Sequence, residues 1–599
     1  MSFFAPILHF QENTENLQPE STGGELECSS GRYSILLVHG FGSIFGQAFS
    51  TQTEMRDILT NRFDSPTEIL RHLQGTVTVA FRDKETNFIY VATDRFGAGK
   101  IFRWASPDSA RWAISSSLTD LVAFLQQSGV SVEKSLASAA IVGFVGYSGA
   151  ISSSPYCDID TVDQFHYLLI SPDGRISTHE DPYFPALLDS AGLNYDQLLE
   201  QVASQVRESV ATFSSYESEN YVCQLTGGLD SRSVFAALVS SGFAPRFTTY
   251  TYGVAESPDM VIAGQLSAQY GIKQSTFSGM RSRVIPQTPA DQSIWSLEQT
   301  GGLSTVTPVS LGTFPVPNSV ILSGGWGEMY RGGYPDYPAR DANDEEKIRW
   351  VVNWILRTGS PYGPRIAYGG IFSEQMVDKA RDYATTRLGE LRDLGLTEDL
   401  LPEWMYLRWS TRFNVAETTR AVSPFAHRAD PLCVSSMLPL IVSAPFEDRK
   451  SGAIQLDLIR TLSPGMERFP FEKPYLTADY MGSRGIELAS FPKPPTQPLT
   501  PSLRDVPYSI GANGPSKQTT NAHKAEALRV KMPVRFITRA EDNRKRLSDY
   551  IASEPKRISE VFDVSKLNYI ADNQPRTRPE YRRLETLTSA LDWFFKGVC

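Results

Sequence analysis

The stretch 221–233 (YVCQLTGGLDSRS) constrains the fold of this chain more than any other part of the sequence. Its apolar start predicts a short buried strand ending at Leu225, and the apolar positions from Val234 to Leu238 predict a helix directly afterwards. Gly227 and Gly228 let the backbone approach an anion closely, and the free N–H groups at the start of the helix would face the same point. The stretch therefore predicts an α/β sheet with an anion site at the end of one strand.

The same loop carries side chains that suit the pyrophosphate of ATP. Thr226 and Ser231 add hydroxyl groups, whereas the carboxylate of Asp230 would repel phosphates unless a divalent cation lay between them. A hard cation such as Mg²⁺ is therefore implied. The spacing fits neither the Walker P-loop, which ends in Gly-Lys-Ser/Thr, nor the dinucleotide fingerprint Gly-x-Gly-x-x-Gly. A plain strand-to-helix turn, in which Asp or Ser only caps the helix, is the alternative interpretation.

A second glycine-rich turn follows another apolar run, Val320 to Ser323. The turn begins with Gly324 and Gly325 and contains the acidic residue Glu328. Because the carboxyl ends of parallel strands lie at one edge of a sheet, we expect Glu328 to reach the same cation as Asp230. Two carboxylates would then hold the metal that a bridged pyrophosphate needs.

The composition is that of an ordinary globular protein long enough for two or more domains, with 599 residues and a formal net charge of -10. The acidic balance argues against nucleic acid as the main partner. The five cysteines lack the C-x-x-C spacing of a zinc site and suggest no disulfide framework, which favours a reducing cytoplasm. No window is long enough to span a membrane, and the N-terminus has no basic region, so no membrane partner is expected.

The pattern of elements changes along the chain. Strand-like runs separated by Gly, Asp and Asn predict an antiparallel β-sandwich first, and apolar positions at helical spacing begin near Asn194. An open parallel-sheet α/β region is expected next, followed from Glu345 by a mainly helical part with a Pro-rich loop or lid at 491–514. We therefore expect two domains, 1–190 and 191–599. The strand-like runs of the sandwich are Ser34 to Val38, Thr76 to Phe81, Phe88 to Ala92 and Tyr167 to Ile170, whereas Phe247 to Tyr252 is expected to be a strand of the parallel sheet.

The two glycine-rich stretches together resemble the asparagine synthetase family of N-type ATP pyrophosphatases. Its synthetase domain carries Ser-Gly-Gly-Leu-Asp-Ser and, later, Ser-Gly-Glu-Gly-(Ser/Ala)-Asp-Glu-x-Phe-Gly-Gly-Tyr. Asp94-Arg95-Phe96-Gly97 is similar to part of the family's N-terminal amidotransferase-like domain, and Phe471-Glu472-Lys473-Pro474 to its Arg-Pro-Lys segment. The resemblance implies that ATP is split into AMP and pyrophosphate while a carboxylate is activated as an acyl-adenylate and converted to an amide.

The resemblance also implies roles for individual residues, with ATP and Mg²⁺ as cofactors. Asp230 and Glu328 would bind the metal. Lys473 would stabilise the negative charge of the adenylation and acyl-transfer steps, and Tyr330 would lie with Lys473 and Glu328 in the catalytic group. The residues expected to contact the nucleotide are Leu225, Thr226, Gly227, Gly228, Asp230, Ser231, Tyr252, Gly253 and Gly324.

Three departures from the family affect the amidotransferase-like domain. Glutamine-using members begin Met-Cys, because the cysteine becomes the nucleophile once the methionine is removed, but this chain has Ser2. The Asn-Gly-Glu-x-Tyr-Asn segment that grips glutamine is absent after Val38-His39-Gly40, and Pro66 replaces the aspartate of Ser-Asp-x-Glu. We therefore expect that this chain does not hydrolyse glutamine.

In the synthetase part, Gly325 replaces a family glutamate near the acyl-adenylate and Trp326 follows it, so we expect that a charge is lost there and that the acceptor has changed. Adenylation without glutamine resembles lasso-peptide macrolactam cyclases and β-lactam synthetases, which use an amine already on the substrate. We favour a peptide cyclase, with a leader-peptide protease as a partner. The alternatives are a small-molecule β-lactam synthetase, an asparagine synthetase using ammonia, and an RNA-modifying ATP pyrophosphatase. The basic run from Lys524 to Arg546 is predicted to be a solvated helix face.

Overall fold

The structure of the protein is a computed structural model. It describes residues 31–252, 257–277, 296–305, 318–332, 342–357, 368–485 and 519–596, apart from short gaps within these ranges, with two short strands before residue 21 and single positions at 294, 337 and 338. Gly253 and the Pro-rich stretch 491–514 lie outside the described residues, and of Tyr252 only the backbone is described.

Two antiparallel sheets form the N-terminal part, as the strand-like runs separated by Gly, Asp and Asn predict. Their strands are β1 Ile7–Gln11, β2 Pro19–Glu20, β3 Tyr33–Ile44, β4 Gln47–Phe49, β5 Gln74–Asp83, β6 Ile89–Thr93, β7 Phe102–Ala105, β8 Arg111–Ser115, β9 Ile159–Thr161, β10 His166–Ile170 and β11 Ile176–Glu180. One sheet has the order β2-β1-β8-β7-β9 and the other β11-β10-β6-β5-β3-β4. Buried side chains from both sheets, among them Leu37, Val91 and Trp112, form a common core between them.

A parallel sheet follows, which confirms the expected α/β region. Its strands are β12 Asn220–Gln224, β13 Thr248–Tyr252, β14 Gln274–Phe277, β15 Ser319–Leu322 and β16 His427–Ala429. Their order is β14-β13-β12-β15-β16, and every neighbouring pair is parallel. Cys223 of the central strand β12 pairs with Leu322 of β15. The two glycine-rich turns therefore leave the sheet side by side at its carboxyl edge.

Helices surround the parallel sheet and make up most of the C-terminal part. The sequence places a helix start near Asn194, and Asn194 does cap one, because its side chain accepts a hydrogen bond from the Gln197 backbone. The helices are α1 Gln52–Leu59, α2 Pro66–Arg71, α3 Leu118–Gln127, α4 Leu136–Val145, α5 Tyr195–Ser215, α6 Leu229–Ser240, α7 Pro258–Gln269, α8 Glu328–Arg331, α9 Asp344–Leu356, α10 Glu374–Asp393, α11 Leu401–Met405, α12 Ala416–Val422, α13 Met437–Ser443, α14 Phe446–Ser451, α15 Ala453–Leu462, α16 Ala478–Ser483, α17 Asn521–Val530, α18 Val534–Ser553, α19 Pro555–Val561, α20 Val564–Asp572 and α21 Arg578–Lys596, with a π-helix at Tyr406–Val415.

The antiparallel and synthetase-like parts are joined by a buried contact around Lys100. Its ammonium group donates to the carbonyls of Gly97 and Ala98 and, across the contact, to that of Arg412 at 2.9 Å. The Glu417 carboxylate lies 3.6 Å away. Burial lowers the pKa of Lys100 to about 7. Because burying an amine costs free energy unless its N–H donors are satisfied, this contact holds the two parts against each other. The domain boundary at residue 190 stays a prediction.

The basic run in the C-terminal helices is only partly a solvated face, so the prediction for it is wrong in part. Lys524, Lys531 and Lys545 are exposed. In contrast, Arg546 forms an ion pair with Asp592 of α21, and the guanidinium groups of Arg539 and Arg544 contact α21 and the end of α20. These arginines hold the helices together. Among the described residues, no helix has the length and apolar character needed to cross a membrane.

Candidate active site

The loop between β12 and α6 is held in shape by its own hydroxyl groups. The Thr226 backbone N–H donates to Ser231 Oγ at 3.0 Å, and the Gly228 N–H donates to Thr226 Oγ1 at 3.2 Å. Helix α6 begins after Gly228, and no side chain caps its first turn. The first N–H groups of α6 therefore lack the capping partner that most helices have, which suits an anionic ligand.

Acidic side chains surround this loop. The Gly227 N–H donates to the Asp259 carboxylate at 2.7 Å, so a side-chain anion already occupies one of the loop donors. A Cβ built on Gly228 would lie 3.7 Å from the Glu472 carboxylate. Burial, and then the charge of Asp259, raises the pKa of Glu472. A polyphosphate entering here meets these negative charges, so positive groups must be supplied close by.

The second glycine-rich turn packs directly on the start of α6, which brings the two sequence-predicted stretches together. A Cβ on Gly324 would lie 2.6 Å from the Ser231 nitrogen, and a Cβ on Gly327 would lie 2.6 Å from Asp230 Cβ. Only glycine permits so close an approach of two backbones. This packing places Glu328, at the start of α8, beside Asp230.

Arg331 lies between the two carboxylates, and the sequence reasoning did not single it out. Its Nε donates to Asp230 Oδ1 at 3.0 Å, and its Nη2 donates both to Asp230 Oδ2 at 3.2 Å and to Glu328 Oε1 at 3.1 Å. Gln455 adds a fourth hydrogen bond, from Nε2 to Asp230 Oδ1 at 3.0 Å. The sequence did contain a signal for Arg331, because the family pattern has phenylalanine at the position that corresponds to residue 331.

The environment of Glu328 disfavours its charge. Burial, and next the neighbouring Asp230, raises the pKa of Glu328, and the positive charge of Arg331 works against both. No group of three or more His, Cys, Asp or Glu side chains within the described ranges could hold a metal ion. Because Arg331 already occupies the space between the two carboxylates, the pair in this arrangement does not fit a protein-held divalent ion.

The prediction that a charge is lost at Gly325 is wrong, because another part of the chain places a carboxylate there. A Cβ built on Gly325 would lie 2.3 Å from Asp430 Oδ1, so Asp430 occupies the space a side chain at 325 would need. Asp430 follows β16 directly and is nearly fully buried. Thr419 Oγ1 donates to its Oδ2 at 2.6 Å, and Arg428 Nη2 lies 3.8 Å from its Oδ1. The space beside Gly325 therefore holds a carboxylate that comes from another part of the chain.

Gly325→Ala is expected to destabilise the fold by about 1–3 kcal/mol, because the new methyl group overlaps the Asp430 carboxylate. Chemical denaturation measures this change. Gly389→Ala, in α10 with no atom within 4 Å of the added Cβ, is the matched control and should be neutral or slightly stabilising. In the background of Asp430→Ala, the cost of Gly325→Ala should largely vanish. An equal cost in both backgrounds would mean that Asp430 is not what excludes a side chain at 325.

The two aromatic residues of this turn are packed rather than facing a ligand. Trp326 has a positive φ of 69°, is almost fully buried, and contacts the ring of Phe96 at 5.6 Å between centroids. Tyr330 is fully buried, and its hydroxyl donates to the Leu432 carbonyl at 2.7 Å. Burial raises the pKa of Tyr330 far above its ordinary value. A catalytic part for Tyr330 stays a prediction, and its observed contacts are those of a core residue.

Lys473 lies on a segment fixed against the loop between β12 and α6. The N–H of its neighbour Glu472 donates to the Gly227 carbonyl at 3.0 Å. Arg232, fully buried in α6, donates to the carbonyls of Phe469 and Pro470 just before that segment. Its guanidinium carbon also lies 3.5 Å above the ring centroid of Phe471. Arg232 thus connects the first turn of α6 to the segment that carries Lys473. No sequence motif predicted this contact.

A cavity of about 710 Å³ lies between the antiparallel part and the segment after β16. Its lining includes Gln74, Asp94, Arg95, Cys433 and Ser436. The Asp94 carboxylate accepts backbone N–H groups from three residues of the turn after it, and burial raises its pKa to about 6. Part of the cavity lining, including Asp94 and Arg95, belongs to the region that resembles the amidotransferase-like domain. The loop between β12 and α6 does not line the cavity.

The comparison with protein families decides the nature of the region that holds both turns. Residues 201–428 match the family model described as asparagine synthase. This region is an asparagine synthase domain. The asparagine synthase family consists of ATP-dependent amide ligases, which typically use Mg²⁺. Asp230, Glu328 and Arg331 lie inside the asparagine synthase domain, whereas Asp430 and Lys473 follow it.

Comparisons with individual proteins give little information beyond the family match. No curated protein matches the chain. The solved structures that match include the allosteric regulatory enzyme of purine biosynthesis, with a TM-score of 0.17. They also include the glutamine phosphoribosylpyrophosphate amidotransferase from B. subtilis complexed with ADP and GMP, with a TM-score of 0.14. Each of these two matches has 12% sequence identity and covers 54% of this chain. The matches span 60% and 59% of the chains of those structures. Nothing further about this chain follows from likeness at that level.

Proposed function

We propose that this protein is an ATP-dependent amide ligase that activates a substrate carboxylate as an acyl-adenylate and joins it to an amine of the same substrate. The observation that carries the proposal is the meeting of the Thr226–Ser231 loop with the Glu328 turn at one sheet edge, inside an asparagine synthase domain. The proposed domains are an amidotransferase-like region, 1–190, without glutaminase activity, and a ligase region, 191–599.

The proposed reaction has two steps. In the first, a carboxylate oxygen of the substrate attacks the α-phosphorus of ATP, and the bond from that phosphorus to the oxygen bridging the β-phosphate breaks, which releases pyrophosphate. In the second, the amine attacks the acyl carbon, a C–N bond forms, and the C–O bond to AMP breaks as the amine gives up a proton. The substrate loses the elements of one water, and ATP becomes AMP and pyrophosphate.

The nucleotide would bind along the loop, next to the carboxyl end of β13 at Tyr252. ATP would enter as its magnesium complex, with Asp230 and Glu328 beside the phosphates. Lys473 is exposed in the structure, and it is the proposed cation for the charge that develops on the acyl and phosphoryl oxygens, since an ammonium group positioned beside such charge stabilises it. Its attachment to the loop through Glu472 supports this position.

The acceptor is proposed to be an amine. A buried carboxylate, Asp430, lies against Gly325 at the carboxyl edge of the sheet, and an ammonium group is the natural partner of such a charge. The amine is assigned to the substrate itself, because two features of a glutamine site are missing from the sequence: the Asn-Gly-Glu-x-Tyr-Asn segment is absent after Val38-His39-Gly40, and Pro66 replaces a glutamine-site aspartate.

Within this class, we favour macrolactam formation on a ribosomal peptide, whose N-terminal amine would attack an adenylated Asp or Glu side chain. A protease that removes a leader peptide would be its partner. A β-lactam synthetase acting on a small β-amino acid uses the same two steps, so the choice between them depends on the substrate rather than on the nucleotide site.

The nucleotide products test the ligase class. With substrate, ATP and Mg²⁺, we expect AMP and pyrophosphate in equal amounts, no ADP, and no change in rate on adding glutamine. Chromatography of the nucleotides and a coupled assay for glutamate measure these quantities. ADP as the product, or glutamate released from glutamine by the purified protein, would refute the proposal.

Mass spectrometry of a candidate precursor peptide tests the cyclase. Incubation with ATP and Mg²⁺ should give a peptide lighter by one water, with one AMP formed for each peptide converted, and treatment of the peptide with an amine-blocking reagent beforehand should prevent both. AMP formation with a small β-amino acid alone would move the assignment to a β-lactam synthetase. Asparagine formed from aspartate and ammonia would instead make the protein an asparagine synthetase.

A further inference from the structure

The position of Arg331 suggests a function that the paired carboxylates alone would not have. We propose that the Arg331 guanidinium is the protein's own cation at the nucleotide site, in the place between Asp230 and Glu328 where these carboxylates would otherwise hold a divalent ion. The only divalent ion in use would then be the one that ATP carries.

The geometry of the hydrogen bonds supports this assignment. Both oxygens of Asp230 and one oxygen of Glu328 accept from the single guanidinium group, all within 3.0–3.2 Å. Gln455 donates to Asp230 Oδ1 as well, so three of the four carboxylate oxygens are occupied by N–H donors. These are the oxygens that a hard cation would need, and a guanidinium group satisfies them through directed hydrogen bonds instead.

The charges lead to the same conclusion. The two carboxylates carry two negative charges, and Arg331, which stays protonated in proteins, neutralises one of them. A divalent ion bound to the same oxygens would lie in contact with the guanidinium, so binding of one kind of cation excludes the other.

One edge of the guanidinium remains available. Within the described part of the chain, Nη1 makes no hydrogen bond, and the Arg331 side chain is about one quarter exposed at 24%. A planar fork with a free donor suits an oxygen of a phosphate group. Arg331 can therefore keep Asp230 and Glu328 in position while offering a positive charge to a polyphosphate.

Counting bound Mn²⁺ tests the proposal without nucleotide and without turnover. Electron paramagnetic resonance of free Mn²⁺ should show no ion bound to the wild-type chain at this site. Arg331→Met removes the charge but keeps most of the side-chain bulk, and should bind one Mn²⁺ per chain, at least about tenfold more tightly than the wild type, because two carboxylates become available to it. Adding Asp230→Asn to Arg331→Met should abolish that ion.

Two further variants complete the test. Arg331→Lys keeps the positive charge and should resemble the wild type. Arg392→Met is the matched control, because Arg392 also bridges two carboxylates, Asp344 and Glu398, while Lys347 remains paired with Glu398 at 2.6 Å after the change. It should gain no ion.

One Mn²⁺ bound equally by the wild type and by Arg331→Met would overturn the proposal, and so would a wild-type ion that is lost in Asp230→Asn. If Arg331→Met does not fold, the comparison of the wild type with Asp230→Asn still tests the proposal, because a wild-type ion that is lost in Asp230→Asn would overturn it. The consequence for ATP rests on the proposed function, but the ion count does not, so a failure of the amide-ligase assignment and a failure of this proposal give different results.

Discussion

Lys473→Ala is expected to lower the rate of amide formation by roughly 100- to 1000-fold, the loss that follows removal of one preorganised group from a developing negative charge. The physical reason is the position of the segment. The Glu472 N–H donates to the Gly227 carbonyl, and Arg232 holds the backbone just upstream, so the backbone that carries the exposed Lys473 is fixed beside the loop between β12 and α6. Pyrophosphate release under saturating ATP measures the effect.

Two variants separate a catalytic cation from a general effect of charge. Lys473→Arg keeps the positive charge and should lose less activity than Lys473→Ala. Lys524→Ala removes an exposed lysine from the distant helix α17 and should leave the rate unchanged. The KM for ATP should change little in Lys473→Ala, because the lost interaction belongs to the transition state. Unchanged turnover in Lys473→Ala would place the catalytic cation elsewhere, with Lys450 and Lys517 as the next candidates.

Asp230→Ala is expected to reduce pyrophosphate release by at least about 100-fold while the protein stays folded. Asp230 is only partly buried, but it accepts hydrogen bonds from both Arg331 and Gln455, so its loss releases two side chains that border the nucleotide loop. The effect on helix α6 itself should be small, on the order of 0.3–1 kcal/mol, which is what one carboxylate at a helix start contributes. Thermal unfolding measured beside turnover distinguishes the two.

Glu328 allows a finer comparison. Glu328→Ala should also lose turnover, whereas Glu328→Asp restores the residue of the family pattern and should retain activity. Near-normal pyrophosphate release from Asp230→Ala or from Glu328→Ala would remove that residue from the site. A large fall in the unfolding temperature of either variant would show that the carboxylate acts on the fold and not on the reaction.

Local signals in the sequence were sufficient for the elements of the site. Strand-like runs separated by Gly, Asp and Asn predicted the antiparallel strands, and apolar positions at helical spacing predicted a helix beginning near Asn194, one residue before the first residue of α5. The glycines after Leu225 and after Ser323 predicted turns directly behind two strands, and both turns do follow strands, β12 and β15. These features depend on residues a few positions apart, so local sequence patterns are sufficient to predict them.

Some side-chain roles could not be read in this way. The prediction that Gly325 removes a charge failed, because the carboxylate of Asp430, which follows β16 and lies just beyond the family match, occupies that space. The basic run from Lys524 to Arg546 was predicted to face solvent, yet several of its arginines bind neighbouring helices. Composition gives the number of charges in a segment, but the packing of other helices decides which of them remain in water.

The sequence by itself determined a parallel sheet with a strand, a glycine loop and a helix, and two carboxylates at adjoining strand ends, because each depends on local periodicity and on where parallel strands terminate. Only the tertiary structure decided that a guanidinium group lies between those carboxylates and that Asp430 fills the space beside Gly325. Arg331 and Asp230 are 101 positions apart, and Arg428 reaches Ser323 across 105. Contacts over such separations arise when strand ends are packed together, and no local pattern encodes the direction in which a side chain then points.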